Sequence, residues 1–331
     1  MHDSRTRRAL AALLTLIVGL GLVGCSTNPA TGKRSFMLQS WEWERSIALS
    51  AGPQFTEEFG GETPDATTKA YVDEIGAKLT RAALQQAYAE IPELDWDYTL
   101  LDSAVLNAFA LPGGKVYISR GLAAKLENEA QLAGVLGHEV GHVLARHGNQ
   151  RISKQIGMNL ALAGLAIGVG LSDEESDLRK YGQYAVPALA VGGNVVMLSY
   201  GRDEELEADR LGISYMVANG YNPVGQRQVM EILGREAKGQ RPPEWLSTHP
   251  ASETRIRRID EMLKGKYAYT QNNPDYGLYP GRYRERMLSR LAALPAPRQA
   301  RAVETFDLAD PMTWCGTCTD SLAGVDAMAL R

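Results

Sequence analysis

Apolar positions along this chain mostly recur at the three- and four-residue spacing of helices rather than with the alternation of strands. The spacing predicts helices over residues 67–85, 128–150, 203–219 and 282–293. Short β-rich stretches predict strands near 96–101 and 115–119, the second introduced by the turn signal Pro112-Gly113-Gly114. Long helices with only short strands favour a mainly helical α+β domain.

The amino-terminal apolar run differs from these helices because it is almost continuous. Three arginines within the first eight residues precede an apolar stretch over residues 9–23, which is the pattern of a secretory signal. The stretch ends in Leu22-Val23-Gly24-Cys25, which resembles a bacterial lipobox, so we expect residues 1–24 to be removed and Cys25 to carry lipid. By the same resemblance, Ser26 rather than Asp favours the outer membrane. A plain membrane anchor is the alternative, although fifteen residues are short for a span.

The remaining chain divides into three parts. We interpret residues 25–40 as a flexible tether, 41–264 as the functional domain and 265–331 as a C-terminal extension of unknown role. The extension begins with a loop-like stretch rich in Tyr, Pro and Gly. Near its end it contains Cys315 and Cys318. For these two residues, an oxidising compartment favours a local disulfide over a redox centre or a second metal site.

Net charge excludes one class of partner. Without residues 1–24, the chain keeps 32 basic and 38 acidic residues, a net charge of −6. Nucleic-acid binding would require a basic stripe, which this sequence does not contain. About 307 residues are enough for one sizeable core and an appendage.

Candidate chemistry is concentrated in the helix predicted over 128–150, which contains His138-Glu139-Val140-Gly141-His142. Residues four apart share a helix face, so His138 and His142 can bind one metal ion. Glu139 can then act as general base on a water at the metal without being a ligand. The neighbouring residues are nearly all apolar, and a buried carboxylate needs a partner or a metal. The pattern predicts a zinc metalloprotease site; a core helix with two hydrogen-bonded histidines is the alternative.

The third ligand must come from elsewhere in the chain. His147 follows His138 by nine residues and would lie on the opposite side of a continuous helix, so we interpret it as a helix-end or packing residue. Catalytic zinc sites commonly combine two histidines with a carboxylate. Four acidic residues in the helix that begins near 203 are candidates, and sequence logic does not choose among them: Glu204, Glu205, Glu207 and Asp209. Glu205 and Asp209 share a helix face, so one can bind the metal while the other orients a ligand.

Four motifs, in this order, resemble a known family. They are Asn107-Ala-Phe-Ala-Leu-Pro-Gly-Gly114, the stretch from Asn128 to His147, Glu205-Leu-Glu-Ala-Asp209, and Thr248-His249-Pro250 followed by Arg255-Ile256. Over roughly residues 30–265 the chain resembles the zinc metallopeptidases of the HtpX, LoiP and BepA group, relatives of the CAAX prenyl endopeptidases. Gly201 departs from the pattern, because relatives usually have Ser before the Arg.

The resemblance implies a gluzincin-type domain that binds one Zn²⁺. The ligands it implies are His138, His142 and Glu205. It also implies Glu139 as general base and Asp209 as the residue that orients a ligand. His249 is implied to lie on a loop over the site, as a gating fourth ligand or as a helper near the oxyanion, with Arg255 beside it.

Substrate binding is predicted beside the strand at 115–119. A peptide can add as an extra strand to a free sheet edge, with main-chain hydrogen bonds giving affinity. We therefore expect a small mixed sheet whose edge strand borders the cleft. The predicted substrate contacts are Asn107, Gly114, Val116 and Tyr117. An interior strand is the alternative.

Two functions from different classes fit the sequence. The first is a zinc endopeptidase, lipid-anchored at the periplasmic face of the outer membrane, that cleaves misfolded or stalled envelope proteins and works with outer-membrane assembly machinery. The second is a chaperone or assembly factor that holds unfolded chains in the same cleft, with proteolysis weak or gated. Glu139 and the complete ligand set favour the enzyme. The apolar segments 156–171 and 185–200, at about 16 residues each, are expected to be buried or to touch the membrane surface.

Overall fold

The computed structural model describes residues 25–168, 199–238, 243–250 and 253–298, and it confirms a mainly helical α+β fold. The helices are α1 (Trp41–Glu58), α2 (Ala66–Gln85), α3 (Arg120–Ala123), α4 (Glu129–Leu144), α5 (His147–Gly168), α6 (Arg202–Ala218), α7 (Val224–Glu236), α8 (Trp245–Thr248), α9 (Glu253–Lys264), α10 (Pro280–Tyr283) and α11 (Ser289–Ala293). A 3₁₀ turn (Ala268–Thr270) and a π-helical turn (Arg284–Leu288) lie near the C-terminal end. The strands are β1 (Cys25–Thr27), β2 (Arg34–Phe36), β3 (Asp97–Leu101), β4 (Ala108–Leu111) and β5 (Lys115–Ser119).

A mixed three-stranded sheet with the order β3-β5-β4 lies against the helices. Strand β5 pairs in parallel with β3 and antiparallel with β4. The expectation that residues 115–119 could accept a substrate strand at a free edge is therefore wrong, because both edges of β5 are occupied. The outer strands are β3 and β4. The sequence does not predict β4, because its four residues are all buried and show no alternation.

The helix predicted over 128–150 is broken into two. Helix α4 ends at Leu144, and Arg146 has a left-handed backbone with φ of 55°. Arg146 is held in place by Glu44, whose Oε1 accepts a hydrogen bond from Nε at 2.8 Å, and by the ring of Trp41, 4.2 Å from its guanidinium carbon. The break changes the direction of the chain before α5 begins at His147.

Helices α4 and α6 approach closely through glycines. A Cβ atom on Gly212 would lie 2.8 Å from the backbone nitrogen of His138 and 2.9 Å from the carbonyl carbon of Gly137. No real side chain tolerates such contacts with backbone, so both helices depend on the missing Cβ to reach this separation. The close approach places the acidic first turns of α6 beside the two histidines of α4.

Both ends of the described chain pack onto this domain. Strands β1 and β2 pair antiparallel, so residues 25–36 form a hairpin, which we call the N-terminal hairpin. Its turn residue Asn28 is buried, in contrast to the flexible tether expected for residues 25–40. At the other end, Tyr283 and Met287 belong to the main hydrophobic core, and Arg282 forms an ion pair with the buried carboxylate of Glu129.

The structure describes only part of the segments that were expected to be buried or to touch the membrane surface. None of the helices within the described ranges is both long enough and apolar enough to cross a bilayer. Helix α5 includes the first part of segment 156–171, whereas nearly all of segment 185–200 and both Cys315 and Cys318 lie outside the described residues.

Candidate metal centre

Helix α4 presents the two histidines from the protein interior. The side chain of Asn128 caps the helix by accepting a hydrogen bond from the backbone nitrogen of Gln131 at 3.0 Å, and every residue of the helix is buried. Nε2 of His142 lies 3.0 Å from Nε2 of His138. Two ring nitrogens that face each other inside a core indicate a shared cation rather than a hydrogen bond alone.

Helix α6 supplies the carboxylate that the sequence could not select. Oε1 of Glu205 lies 3.3 Å from Nε2 of His142, and its Oε2 lies 3.4 Å from Nε2 of His138. The other acidic residues have different partners. Glu204 accepts from the backbone nitrogen of Gly201 and pairs with Lys154, and Glu207 pairs with His147 and Lys33.

His249 completes the group from the end of α8. Its Nδ1 lies 3.3 Å from Nε2 of His138 and 2.9 Å from Oε1 of Glu205. His249 is fully buried, so it is a core residue and not an isolated surface histidine. The four residues that come together are His138, His142, Glu205 and His249.

The dimensions of this group fit a tetrahedral metal ion. One ligand atom from each residue lies within 4.8 Å of every other. Metal–nitrogen and metal–oxygen bonds of about 2.0–2.2 Å set the corners of a tetrahedron about 3.3–3.6 Å apart. The separations from 2.9 to 3.4 Å between neighbouring ligand atoms are within a few tenths of an ångström of that spacing. His147, in agreement with the sequence reading, is not a member of the group.

Burial and neighbouring charges shift the pKa values of the residues in the group. Although burial opposes its ionisation, the charges of His249 and Arg255 keep the pKa of Glu205 well below its usual range. Burial lowers the pKa of His142, so this ring stays neutral. Burial also acts against a charge on His138, but the carboxylates of Glu205 and Asp209 raise its pKa to about 9.

Asp209 and Arg255 support the ligands from behind. Oδ1 of Asp209 lies 3.0 Å from Nδ1 of His138, the ring nitrogen that faces away from the group. Nε and Nη2 of Arg255 both donate to the Asp209 carboxylate at 2.8 Å, and Nη1 lies 2.5 Å from Glu205. Gln226 of α7 donates to Asp209 at 2.9 Å. Arg255 thus lies behind the ligands and bridges two carboxylates, a contact the sequence did not reveal.

Glu139 lies beside the group without joining it. Its Oε1 accepts a hydrogen bond from Nε1 of Trp245 at 3.2 Å and lies 3.6 Å from Nε2 of His249. Its Oε2 is buried and has no hydrogen-bond partner among the described residues. A carboxylate with one anchored and one uncommitted oxygen is suited to proton transfer.

Two aromatic residues that sequence reasoning missed cover the site. Tyr200 stacks on His142 with ring centroids 3.8 Å apart, and Trp245 stacks on His249 at 5.0 Å. Trp245 lies four residues before His249, and the backbone nitrogen of His249 donates a hydrogen bond to the carbonyl oxygen of Trp245. This four-residue spacing is the feature of the sequence that could have predicted their contact. Nothing in the sequence pattern pointed to Tyr200.

The predicted substrate contacts are dispersed. Val116 and Tyr117 are buried on the central strand β5, and Tyr117 stacks on Phe109, so both act as core residues. Gly114 forms the turn before β5, with φ of 102°. Asn107 immediately precedes the edge strand β4, and its buried side-chain amide has no hydrogen-bond partner within the described part of the chain. Residues from β4 line a small cavity with His142 and Tyr200.

A helix with two histidines and a base, joined by a glutamate from a later helix, defines a metallopeptidase of the His₂Glu type. The family model described as peptidase family M48 matches residues 67–263, which is more than half of the chain, and the chain belongs to this family. The predicted resemblance to this group of peptidases is therefore confirmed.

Proteins similar to this chain are named as members of the same class. The chain is 28% identical over 239 residues to the mitochondrial metalloendopeptidase OMA1 of Schizosaccharomyces pombe, a match that covers 71% of this chain and 65% of that protein. It is 30% identical over 213 residues to the beta-barrel assembly-enhancing protease of Escherichia coli, covering 63% and 42%. A putative beta-barrel assembly-enhancing protease of Vibrio cholerae is 29% identical over 236 residues, covering 70% and 46%. The matches thus span less than two thirds of these relatives.

Proposed function

We propose that this chain is a zinc-dependent endopeptidase, anchored by lipid on Cys25 at the periplasmic face of the outer membrane, that cleaves misfolded or stalled envelope proteins. The observation that carries the proposal is the buried group of His138, His142 and Glu205 with Glu139 beside it. Imidazole nitrogens together with one carboxylate suit zinc better than the larger oxygen-seeking cations.

The chain's own residues account for the proton transfers of peptide hydrolysis. His138, His142 and Glu205 would hold the zinc ion, which would supply Lewis acidity toward the scissile carbonyl and a water molecule. Glu139 accepts a proton from that water as the water oxygen attacks the carbonyl carbon, and it then delivers the proton to the leaving amine nitrogen. The Trp245 indole holds Oε1 of Glu139, so the proton passes through Oε2.

An extended substrate could pair with the edge strand β4 once the groups that bury Ala108 and Ala110 move aside. In the antiparallel pairing of β4 with β5, alternate residues turn their backbone groups away from the sheet, and Ala108 and Ala110 occupy these positions. No backbone hydrogen bond to either residue from outside the sheet occurs among the described residues. Main-chain pairing makes few demands on side chains, which suits unfolded polypeptides.

Two observations support the proposed location and partners. The thiol of Cys25, the first residue of the N-terminal hairpin, is exposed, so a lipid there would not disturb the core. Relatives named as beta-barrel assembly-enhancing proteases support a role with outer-membrane assembly machinery. Envelope quality control is then the setting in which stalled chains meet the edge strand.

Burial of the whole metal group supports gated proteolysis. Catalytic zinc sites keep one position open, whereas here His249 approaches the group as a fourth ligand. Displacement of His249 would open that position. A chaperone or assembly factor that binds unfolded chains in the same cleft is the second candidate, favoured if the cleft holds substrate without cleaving it.

Glu139→Gln separates the two candidates. With unfolded casein as probe, we expect unchanged zinc content and binding but cleavage reduced by about 10²- to 10⁴-fold, because the general base is lost. Glu127→Gln, an exposed residue just before α4, is the matched control and should cleave normally. Unchanged cleavage by Glu139→Gln would refute the mechanism, and casein binding without cleavage by the wild type would favour the chaperone.

A further inference from the structure

The ring of His142 has two different surroundings. Its Nε2 faces the metal group, whereas its Nδ1 lies 2.9 Å from Nδ1 of His147. Nε2 of His147 in turn lies 3.3 Å from Oε2 of Glu207. His147 is 1% exposed, so no bulk solvent competes for these contacts.

The break in the helix makes this contact possible. On a continuous helix, His147 would lie away from His138 and His142. Because the chain turns at Arg146, the first residue of α5 points back to the far side of the ligand ring instead. The geometry therefore assigns His147 a role that neither the motif nor the spacing indicated.

His142, His147 and Glu207 form a row of hydrogen-bonded side chains. The hydrogen-bond requirements of this row allow one arrangement of protons. Nε2 of His142 must be free of hydrogen to bind a metal, so the ring proton sits on Nδ1 and is donated to His147. His147 accepts at Nδ1, so its own proton sits on Nε2 and is donated to Glu207. Each group then has the partner it needs, and the tautomer of the ligand is fixed from outside.

The row continues into the N-terminal hairpin. Nδ2 of Asn28 lies 3.1 Å from the carbonyl oxygen of Ala145 and 3.2 Å from Oε2 of Glu207. Asn28 is 1% exposed, and it therefore joins the end of the ligand helix to the last acceptor of the row. Nζ of Lys33, on the same hairpin, lies 2.7 Å from Oε1 of Glu207.

We propose that His147, Glu207 and Asn28 form a positioning relay that fixes the tautomer and orientation of His142, and that the N-terminal hairpin thereby sets the metal affinity of the site. None of the three residues touches substrate or metal. The relay rests on the metal centre of the proposed function but not on peptide cleavage.

A matched pair of substitutions at His147 tests the relay. His147→Asn keeps an acceptor at the place of Nδ1, whereas His147→Phe keeps the ring volume and removes the acceptor. We expect His147→Phe to lower zinc affinity by about 10- to 100-fold, measured by competition with a chromogenic chelator, and His147→Asn to lower it much less. The visible bands of the Co²⁺-substituted proteins should shift in the same order. Equal losses in both variants, or none in His147→Phe, would overturn the relay.

Glu207 and Asn28 are tested separately. Glu207→Gln is compared with Glu204→Gln, since both side chains lie in the first turns of α6 and are similarly exposed, at 11% and 10%. We expect lower zinc affinity in Glu207→Gln and in Asn28→Ala but not in Glu204→Gln. Normal affinity in Asn28→Ala alongside a loss in His147→Phe would overturn the part assigned to the hairpin. A wild-type protein that binds no zinc would instead refute the metal centre itself.

Discussion

Oδ1 of Asp209 lies 3.0 Å from Nδ1 of His138, so a buried carboxylate orients one metal ligand from behind. The same carboxylate receives two hydrogen bonds from Arg255. Burial opposes its ionisation, but the neighbouring guanidinium keeps the pKa of Asp209 far below its usual range. Asp209 therefore serves the metal site and the charge balance of the core at once.

Asp209→Asn should weaken both the metal site and the charge balance of the core. The amide leaves Arg255 with only one carboxylate, Glu205, and presents a donor where the guanidinium needs an acceptor. We expect a loss of about 3 kcal/mol in the free energy of unfolding by urea, at the low end for a broken buried pair because Glu205 remains. Zinc affinity should fall by about 10- to 100-fold.

Asp260→Asn is the control for that substitution. Asp260 forms an ion pair with Arg227 at 2.9 Å, but both side chains are partly exposed. Its removal should cost less than about 1 kcal/mol and leave zinc affinity unchanged. Similar losses of unfolding free energy and zinc affinity in Asp209→Asn and Asp260→Asn would contradict the role assigned to the buried carboxylate of Asp209.

A second prediction concerns the close contact between α4 and α6. Gly212→Ala places a Cβ against the backbone of Gly137 and His138, so the helices must separate. We expect a loss of about 1–3 kcal/mol in unfolding free energy and weaker zinc binding, because Glu205 moves away from the histidines. Gly234→Ala is the matched control, since a Cβ there meets nothing within 4 Å. It should be neutral or stabilising by up to about 1 kcal/mol. Tight zinc binding by Gly212→Ala would contradict this account.

The sequence predicted what depends on local spacing. His138, Glu139 and His142 lie on one helix, and a four-residue repeat is enough to bring two of them together. Glu205 could not be chosen from four acidic residues by spacing, because the choice depends on how α6 packs on α4 through Gly137 and Gly212. Family resemblance, not periodicity, selected the residue that the structure places in the group.

The incorrect expectations have physical causes as well. Strand β4 is a short, wholly buried apolar run that shows no alternation, so the sequence pattern predicts only β5 as the available edge. The break after Leu144 is not marked by a glycine in the sequence. Arg146 adopts the left-handed conformation there, and its contacts with Glu44 and Trp41 stabilise it. Tertiary contacts therefore decided both features.

A third prediction distinguishes a required ligand from a gating one. Glu205→Ala should lose most bound zinc, since it removes the carboxylate that contacts both histidine ligands. His249→Ala should retain zinc with affinity reduced by no more than about tenfold, because three protein ligands suffice in catalytic sites. Metal content after dialysis checks both. Normal zinc content in Glu205→Ala would move the third ligand to a neighbouring acid.

Cleavage of unfolded casein by His249→Ala tests the gate itself. If His249 holds the resting site closed, its loss should raise the cleavage rate, since the fourth position no longer has to be vacated. His249→Gln keeps a polar group and should raise it less. A lower rate with zinc retained would instead assign His249 to stabilisation of the oxyanion.

The last prediction concerns acid stability at the junction between α2 and α11. Asp65 caps α2, and the hydrogen bond from Arg290 of α11 lowers the pKa of Asp65 to about 2. An unfolded Asp titrates near 3.9, so the folded state binds fewer protons, and the stabilisation is present above about pH 4 and lost as the pH falls towards 2. Asp65→Asn keeps a good helix cap but removes the charge. Urea unfolding should therefore show wild type more stable than Asp65→Asn at pH 6 and a gap that narrows as the pH approaches 2. Arg290→Gln should reproduce that profile, and a gap independent of pH would contradict the ion pair as its source.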